Sequence, residues 1–139
     1  MNYETLSIDQ ANSIATLSFN RPDKLNAFDS KMVIETQDAI KAISDDNSIK
    51  VVIITGTGKG FSAGADLSDP TGMDDLSNDR LVYEGLVEGY MPSLVAIMNM
   101  PKPVIAAVNG PAAGIGSAFA LACDLMVMSE SAYLKQAFV

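Results

Sequence analysis

Residues 104–116 read Val-Ile-Ala-Ala-Val-Asn-Gly-Pro-Ala-Ala-Gly-Ile-Gly, an apolar run followed at once by a turn of small residues. Residues 51–54 and 125–128 form two further apolar runs of the same kind. Short apolar runs rich in β-branched residues are typical of parallel strands that are covered on both faces. The segments between them are long enough for crossover helices, as in right-handed βαβ units. The sequence therefore predicts an α/β fold around a parallel sheet.

The amino-terminal part predicts a hairpin and one long helix. Residues 3–8 and 13–19 alternate apolar and polar positions, and residues 9–12 have the composition of a turn. Asp29 or Ser30 can cap a helix that follows the 3.6-residue period to about Ser44, with polar Gln37 as its one interruption.

A second helical pattern covers residues 79–99, where Pro92 should kink or divide the helix. The acidic and aperiodic residues 67–78 before it predict an exposed, mobile loop.

Another glycine-rich turn follows the strand predicted at residues 51–54. It reads Gly-Thr-Gly-Lys-Gly-Phe-Ser-Ala-Gly-Ala-Asp over residues 56–66, and Asp66 favours a helix that begins just after Gly64. Both turns should leave the sheet at the carboxyl ends of its strands, where open α/β folds bind ligands. Two N–H groups that converge there on one carbonyl oxygen would form an oxyanion hole. The alternative is that these glycines only permit close packing of strand and helix.

Charge and composition exclude several classes of function. The 139 residues suffice for one domain over residues 1–139, and a net charge of −8 leaves no basic face for nucleic acid. The absence of histidine excludes Ser-His-Asp and Cys-His catalysis and two-histidine zinc sites. Cys123 is the one cysteine, so we expect no disulfide and no metal site, which fits a cytoplasmic location.

Individual residues break the patterns expected of a membrane span and of nucleotide-binding motifs. The uncharged residues 103–123 contain Asn109, Pro111 and several glycines, so we expect no membrane span, and residues 1–4 show no secretory signal. Lys59 is followed by glycine rather than serine or threonine, which breaks the P-loop pattern. A dinucleotide fingerprint at residues 114–116 would place Phe119 at its third small position.

Four motifs in order carry a more specific resemblance. They are Arg21-Pro22 with Leu-Asn-Ala at residues 25–27, Gly-Phe-Ser-Ala-Gly-Ala-Asp-Leu at 60–67, Pro-Lys-Pro-Val-Ile-Ala-Ala-Val-Asn-Gly-Pro-Ala-Ala-Gly at 101–114, and Ala-Cys-Asp at 122–124. Together they resemble the enoyl-CoA hydratase/isomerase (crotonase) superfamily. The resemblance implies crotonase-like ββα units around a parallel sheet, truncated relative to the family, with this chain as the amino-terminal, acyl-CoA-binding part.

The resemblance also implies roles for named residues. Backbone N–H groups at Ala65 and Ile115 correspond to those that hold the thioester carbonyl of an acyl-CoA. Residues around the CoA moiety correspond to Lys24, Leu25, Ala27, Ala63, Asp66 and Leu67, and Lys24 could meet a phosphate as a point charge or be an ordinary solvated lysine. CoA belongs to the substrate, so no separate cofactor is expected. The family further implies a homotrimer or hexamer in full-length form, and therefore exposed apolar surface on this shorter chain.

The subclass depends on two positions where the family's hydratases carry glutamate. These positions correspond to Ala118 and to about Phe138, neither of which can transfer a proton. The chain is therefore more similar to the enoyl-CoA isomerases, which shift a double bond with one carboxylate that would lie beyond Val139. Hydratase activity, or a non-catalytic fragment or binding module, remain the alternatives.

Other reactive side chains favour structural roles. Ser117 and Cys123 have no adjacent base, so packing explains them better than nucleophilic catalysis. Asp124 precedes a strand and is expected to bond backbone N–H groups, with a catalytic base as the alternative. The pair Glu84 and Glu88, one helical turn apart, could face a site but is more typical of a solvated face. Asn26 is expected to bond backbone in the turn before the first long helix.

Overall fold

A computed structural model describes residues 2–69 and 79–137 of the chain. The strands are β1 (Leu6–Ala11), β2 (Ile14–Phe19), β3 (Val51–Gly56), β4 (Val104–Val108), β5 (Ala112–Ala113), β6 (Leu125–Met128) and β7 (Leu134–Lys135). The helices are a 3₁₀ turn (Pro22–Lys24), α1 (Ser30–Asp45), α2 (Asp79–Glu84), a π-helix (Gly85–Tyr90), α3 (Met91–Met98) and α4 (Ile115–Leu121). The mixed α/β fold agrees with the prediction.

Five strands form the main sheet in the order β1-β2-β3-β4-β6. β1 is antiparallel to β2, and each later pair is parallel, with Ile54 opposite both Leu17 and Ala106. The short β5 and β7 pair in parallel to form a separate two-stranded sheet. The carboxyl ends of β3 and β4 therefore lie side by side, and the two glycine-rich turns begin at the same edge of the sheet.

The hairpin turn lies later in the sequence than predicted. Residues 9–11 continue β1, and the reversal occurs at Asn12 and Ser13, which have φ angles of 50° and 64°. A two-residue turn with both φ angles positive matches the twist of the flanking strands, and asparagine tolerates this conformation well. The predicted turn at residues 9–12 was therefore wrong by about two positions.

Helix α1 begins as predicted, and a lysine that is distant in sequence caps its carboxyl end. The carboxylate of Asp29 accepts a hydrogen bond of 2.8 Å from the backbone N–H of Met32, which makes Asp29 the N-cap. At the other end, the Nζ atom of Lys102 donates to the carbonyl oxygens of Ser44 at 2.9 Å and Asp46 at 2.7 Å. A lysine at this end satisfies carbonyl groups that have no partner within the helix.

Gln37, the polar interruption in the apolar pattern of α1, compensates for Pro92. The second helix is not divided at Pro92: α2, the π-helix and α3 follow one another without a break from Asp79 to Met98, and Pro92 lies in the first turn of α3. Proline has no N–H to donate to the carbonyl oxygen of Glu88, four residues earlier. The Nε2 atom of Gln37 donates to the carbonyl oxygens of Glu88 at 3.0 Å and Gly89 at 2.6 Å.

Residues 65–69, which directly follow Gly64, do not form the predicted helix. Ala65 instead forms an isolated parallel bridge with Phe28, and a short turn follows Asp66. The backbone pairing with Phe28 satisfies groups that a helix would have used. Of the predicted loop at residues 67–78, residues 70–78 lie outside the described part of the chain.

The core lies on one face of the sheet. Its alternating side chains, among them Leu17, Phe19, Val52 and Ala106, are buried, whereas Ile53 and Ile105 on the opposite face are half-buried. The expectation that the parallel strands are covered on both faces is therefore met in full on the first face and only in part on the second. At the edge strand β6, Leu125 and Val127 are 61% and 65% exposed, in line with the expected exposed apolar surface.

Candidate active site: two packed glycine-rich turns

The two glycine-rich turns are joined by backbone hydrogen bonds. The N–H of Phe61 donates to the carbonyl of Pro111 at 3.0 Å, and the N–H of Ala113 donates to the carbonyl of Ser62 at 2.9 Å. Ser62 and Ala112 also form an isolated parallel bridge. The turns that follow β3 and β4 are therefore joined by backbone pairing between buried or half-buried residues.

Gly64 and Gly114 lie where the two turns meet. Gly64 has a φ of 96°, and a Cβ atom added there would lie 2.9 Å from the carbonyl oxygen of Ala113 and 3.7 Å from the Cα of Gly114. Gly114 has a φ of 50° and is the N-cap of α4. A side chain at position 64 would force the turns apart, so glycine is required there for both conformation and space.

Each of these glycines precedes one of the predicted donor residues. Ala65 follows Gly64 and Ile115 follows Gly114 as the first residue of α4. Within residues 2–69 and 79–137, the N–H groups of Ala65 and Ile115 have no hydrogen-bond acceptor. Two unpaired N–H groups on turns in contact can hydrogen-bond an oxygen atom supplied by a ligand.

The residues predicted around CoA lie beside one another. The segment from Lys24 to Phe28 runs along residues 63–66: the N–H of Ala63 donates to the carbonyl of Leu25 at 2.9 Å, and the N–H of Phe28 donates to the carbonyl of Gly64 at 2.7 Å. Lys24, Leu25, Ala63 and Leu67 are exposed, whereas Ala27 and Asp66 are buried. The structure thus brings both predicted groups of residues together next to the paired turns.

Arg21 links these segments through two carboxylates, a role that the sequence analysis did not anticipate. Its Nη2 atom lies 3.0 Å from carboxylate oxygens of both Asp29 and Asp66, and its Nη1 atom donates to the carbonyl of Ala27. The hydroxyl of Ser68, then its N–H and the Arg21 guanidinium, hold the pKa of Asp66 below its usual value against the opposing effect of burial. The Asp66 carboxylate is therefore an ionised structural group beside Ala65.

The candidate side chains have structural partners. The Ser117 hydroxyl donates to the carbonyl of Gly114 at 2.7 Å, and the Cys123 thiol lies 3.3 Å from the carbonyl oxygen of Phe119. Burial raises the pKa of Cys123 to about 12, with a smaller contribution from the charge of Asp124. Asp124 is exposed, and its carboxylate accepts a hydrogen bond of 2.8 Å from the backbone N–H of Val104, in agreement with its expected structural role.

The glutamate pair provides no site in the described structure. Glu84 pairs with Arg80 through a contact of 2.7 Å, and Glu88 is exposed on the π-helix. In the described residues, no group of three or more acidic or cysteine side chains is arranged to hold a metal ion. No helix in the same part of the chain is both long and apolar enough to cross a membrane.

Comparison with known proteins identifies the family. A family model described as enoyl-CoA hydratase/isomerase matches residues 9–139. This chain belongs to the enoyl-CoA hydratase/isomerase family. Among solved structures, an enoyl-CoA hydratase/carnithine racemase from Magnetospirillum magneticum superposes with a TM-score of 0.88 at 31% identity, covering 97% of this chain and 50% of that one. An enoyl-CoA hydratase from Bacillus anthracis superposes with a TM-score of 0.85 at 35% identity, covering 96% of this chain and 50% of that one.

Curated members of the family are about twice as long as this chain. The 1,2-epoxyphenylacetyl-CoA isomerase of Escherichia coli strain K12 is 38% identical over 130 residues, which are 90% of this chain and 47% of that protein. The 4-chlorobenzoyl coenzyme A dehalogenase-2 of an Arthrobacter species is 33% identical over 135 residues, which are 96% of this chain and 48% of that protein. The chain therefore spans about half the length of the relatives it matches.

Proposed function

We propose that this chain binds an acyl-CoA thioester and stabilises its enolate through the N–H groups of Ala65 and Ile115. The observation that carries the proposal is that both N–H groups lack acceptors in the described structure and follow glycines whose turns are in contact. Two preorganised donors stabilise the negatively charged oxygen of an enolate far more than they stabilise a neutral carbonyl oxygen. The site thus lowers the barrier to removing a proton next to the thioester.

The CoA moiety is proposed to lie along the joined segments at residues 24–27 and 63–67. The exposed Leu25, Ala63 and Leu67 offer apolar contacts, and Lys24 offers a positive charge to a phosphate. Ala27 and Asp66 are buried at the junction, where Asp66 shapes the segment through its bond to Arg21 rather than through a free carboxylate. No separate cofactor is part of this proposal.

The names of the relatives support thioester binding as the shared function. They include an isomerase, several probable enoyl-CoA hydratases and a dehalogenase, all named for CoA compounds, although the named reactions differ. The feature these reactions share is the CoA thioester, and a pair of backbone donors is suited to it whatever bond changes elsewhere in the substrate. These relatives therefore favour the same role for the paired turns of this chain.

For the complete reaction we propose a double-bond shift in an enoyl-CoA. A shift needs one carboxylate to remove a proton from one carbon and return it to another, whereas hydration needs two groups to position and activate water. Ala118, at one of the two hydratase positions, lies half-buried in α4 and has no proton to transfer, while Phe138 lies outside the described residues. Hydration is the second candidate, favoured by the relatives named as hydratases.

Acetoacetyl-CoA provides a direct test of enolate binding by this chain. The compound ionises to a stable enolate that absorbs in the near ultraviolet, and free CoA is the control that lacks the acyl group. We expect tighter binding of acetoacetyl-CoA than of CoA, growth of the enolate band, and slower hydrogen exchange at the amides of Ala65 and Ile115. Equal affinity for both ligands without protection of either amide would contradict the proposal.

A reaction assay separates the two candidate activities. The protein as expressed from its gene is supplied with a 3-enoyl-CoA and, separately, with a 2-enoyl-CoA. We expect the double-bond shift to be much faster than addition of water. Rapid hydration with negligible isomerisation would contradict the isomerase proposal without affecting the thioester site.

We also propose that the protein assembles as a homotrimer or a hexamer. The exposed apolar side chains of β6 and of nearby Leu121 and Tyr133 support an interface, because large apolar residues gain free energy when an adjoining surface covers them. Light scattering of the expressed protein tests this proposal. A stable, monodisperse monomer would contradict it.

A further inference from the structure

Four phenylalanines form a dry cluster beneath the paired turns. Phe19, Phe28, Phe61 and Phe119 are each at most 1% exposed. Phe19 meets the other three rings edge-on, at interplanar angles of 69° to 79°. Phe28 and Phe119 differ: their rings are stacked, with centroids 5.0 Å apart and an interplanar angle of 8°.

One member of the stacked pair is attached to the turn that carries Ala65. The N–H of Phe28 donates to the carbonyl of Gly64 at 2.7 Å, and the carbonyl of Phe28 accepts from the N–H of Asp66 at 2.8 Å. These two bonds hold the residues on both sides of Ala65, and Phe28 faces Ala65 in an isolated bridge. A displacement of the Phe28 backbone would therefore move the Ala65 N–H with it.

The other member belongs to the helix that begins with Ile115. Phe119 lies four residues after Ile115 in α4, one helical turn along the same side of the helix. The helix is short, so a displacement of Phe119 perpendicular to its ring plane moves the start of the helix with it. The stacked rings thus join the element behind one donor to the element behind the other.

We propose that the Phe28–Phe119 stack is a positioning contact that sets the N–H groups of Ala65 and Ile115 relative to each other. The inference rests on the proposed function of these two groups. Two flat rings in parallel contact fix the spacing between their planes, and an aromatic side chain has few rotamers through which to adjust. An aliphatic side chain fills similar volume but can adjust its rotamers, so it would let the two turns move independently.

Phe19 provides the matched comparison. It is fully buried in the same cluster and touches both stacked rings, but it belongs to β2 and meets them by their edges. Replacing it with leucine removes a comparable amount of buried aromatic surface and leaves the stack in place. If the cluster has a purely structural role, leucine at position 19, 28 or 119 should change ligand binding to a similar extent. If the stack has a positioning role, only the changes at Phe28 and Phe119 should weaken the preference for acetoacetyl-CoA over CoA.

The experiment measures discrimination between acetoacetyl-CoA and CoA by titration calorimetry, together with the enolate absorbance and the unfolding temperature of each variant. We expect Phe28→Leu and Phe119→Leu each to lower the preference for acetoacetyl-CoA about ten-fold, and the double variant to lose little more than either single one. Phe19→Leu should keep the preference within about two-fold at a similar loss of stability. Phe119→Met fills the space with a flexible side chain and should lower the preference for acetoacetyl-CoA as Phe119→Leu does. This variant is used if Phe119→Leu does not fold.

The outcomes separate this inference from the proposed function. A normal preference in folded Phe28→Leu or Phe119→Met overturns the positioning role alone, as does an equal loss in Phe19→Leu. A wild-type chain that binds acetoacetyl-CoA no better than CoA overturns the proposed function, and this inference with it.

Discussion

The side-chain amide of Asn26 holds the loop at Gly60 in place, with its Nδ2 atom 2.9 Å from the Gly60 carbonyl oxygen and no exposure to solvent. The same nitrogen donates to the carbonyl of Thr57 at 2.9 Å, and the Oδ1 atom accepts from the N–H of Arg21 at 2.8 Å. Asn26 has a φ of 56°, a conformation that asparagine adopts more readily than most residues. One side chain therefore connects the proposed CoA segment to the first glycine-rich turn.

Replacing Asn26 with alanine should lower the free energy of unfolding by about 3 kcal/mol, because the N–H of Arg21 and the carbonyl of Thr57 would lose their partner. The carbonyl of Gly60 would keep only the longer bond of 3.3 Å from Asn109. Denaturant unfolding measures the change, and Asn47→Ala at an exposed position is the control. Equal stability of the two variants would show that water can replace the Asn26 amide.

Replacing Gly64 with alanine should impair enolate binding more than it impairs folding. The added Cβ would meet the Ala113 carbonyl oxygen at 2.9 Å, so the turns must separate and Ala65 must move away from Ile115. Loss of one donor predicts about a hundred-fold weaker binding of acetoacetyl-CoA enolate.

Gly60→Ala is the matched control for this variant. The added Cβ would lie 3.7 Å from Leu25, which is an ordinary van der Waals contact. The affinity of this control variant for the enolate of acetoacetyl-CoA should stay close to that of the wild type. If Gly64→Ala binds the enolate as the wild type does, the Ala65 N–H is not a donor to the ligand.

The thiol of Cys123 should resist alkylation in the folded protein. Burial and the charge of Asp124 raise its pKa to about 12, so very little reactive thiolate exists near pH 8. We expect iodoacetamide to label Cys123 slowly in buffer and rapidly in denaturant, as measured by intact mass. Equally fast labelling in both conditions would contradict the inert, structural role of this residue.

Local sequence patterns predicted most of the elements because these depend on nearby residues. The apolar runs at β3, β4 and β6, and the capping of α1 by Asp29, follow from short-range chemistry. The family motifs likewise pointed to both glycine-rich turns. The position of the candidate site could be proposed from sequence to that extent.

The features that sequence reasoning missed depend on residues far apart in the chain. Arg21 meets Asp66 across 45 positions, and Gln37 meets Gly89 across 52, so no local pattern could pair them. The same holds for the helix expected after Gly64, since the pairing of Ala65 with Phe28 overrides the local preference for a helix. A polar residue in an apolar helix pattern, as at Gln37, was the one available signal for such a contact.

The ionised Asp66 carboxylate should make stability fall in acid. Its pKa is lowered in the folded state by Ser68 and Arg21, so the folded protein releases the proton more readily than the unfolded chain does. The stabilisation is therefore fully present above the unfolded pKa, near 3.9, and is lost as the pH falls through the lower folded pKa. The groups that face Asp66 are Arg21 and Ser68, and Asp29 shares the same guanidinium.

Unfolding of the wild type and of Asp66→Asn between about pH 6 and pH 3 measures this contribution. The variant should be less stable at pH 6 and should lose less stability towards pH 3, while Asp9→Asn on the exposed strand β1 should keep the wild-type profile. Parallel profiles for the wild type and Asp66→Asn would contradict the shifted pKa.

The decisive variant for the second donor is Ile115→Pro. Ile115 is the first residue of α4, where proline is tolerated because the N–H of that position has no partner within the helix. The substitution removes the proposed donor and should slow turnover of a 3-enoyl-CoA by the expressed protein by about two to three orders of magnitude. Ile115→Ala removes most of the buried side chain but keeps the N–H, so its loss of rate should be much smaller even if it is the less stable variant. If the two variants turn over substrate equally slowly, the side chain rather than the N–H of Ile115 is what the reaction requires.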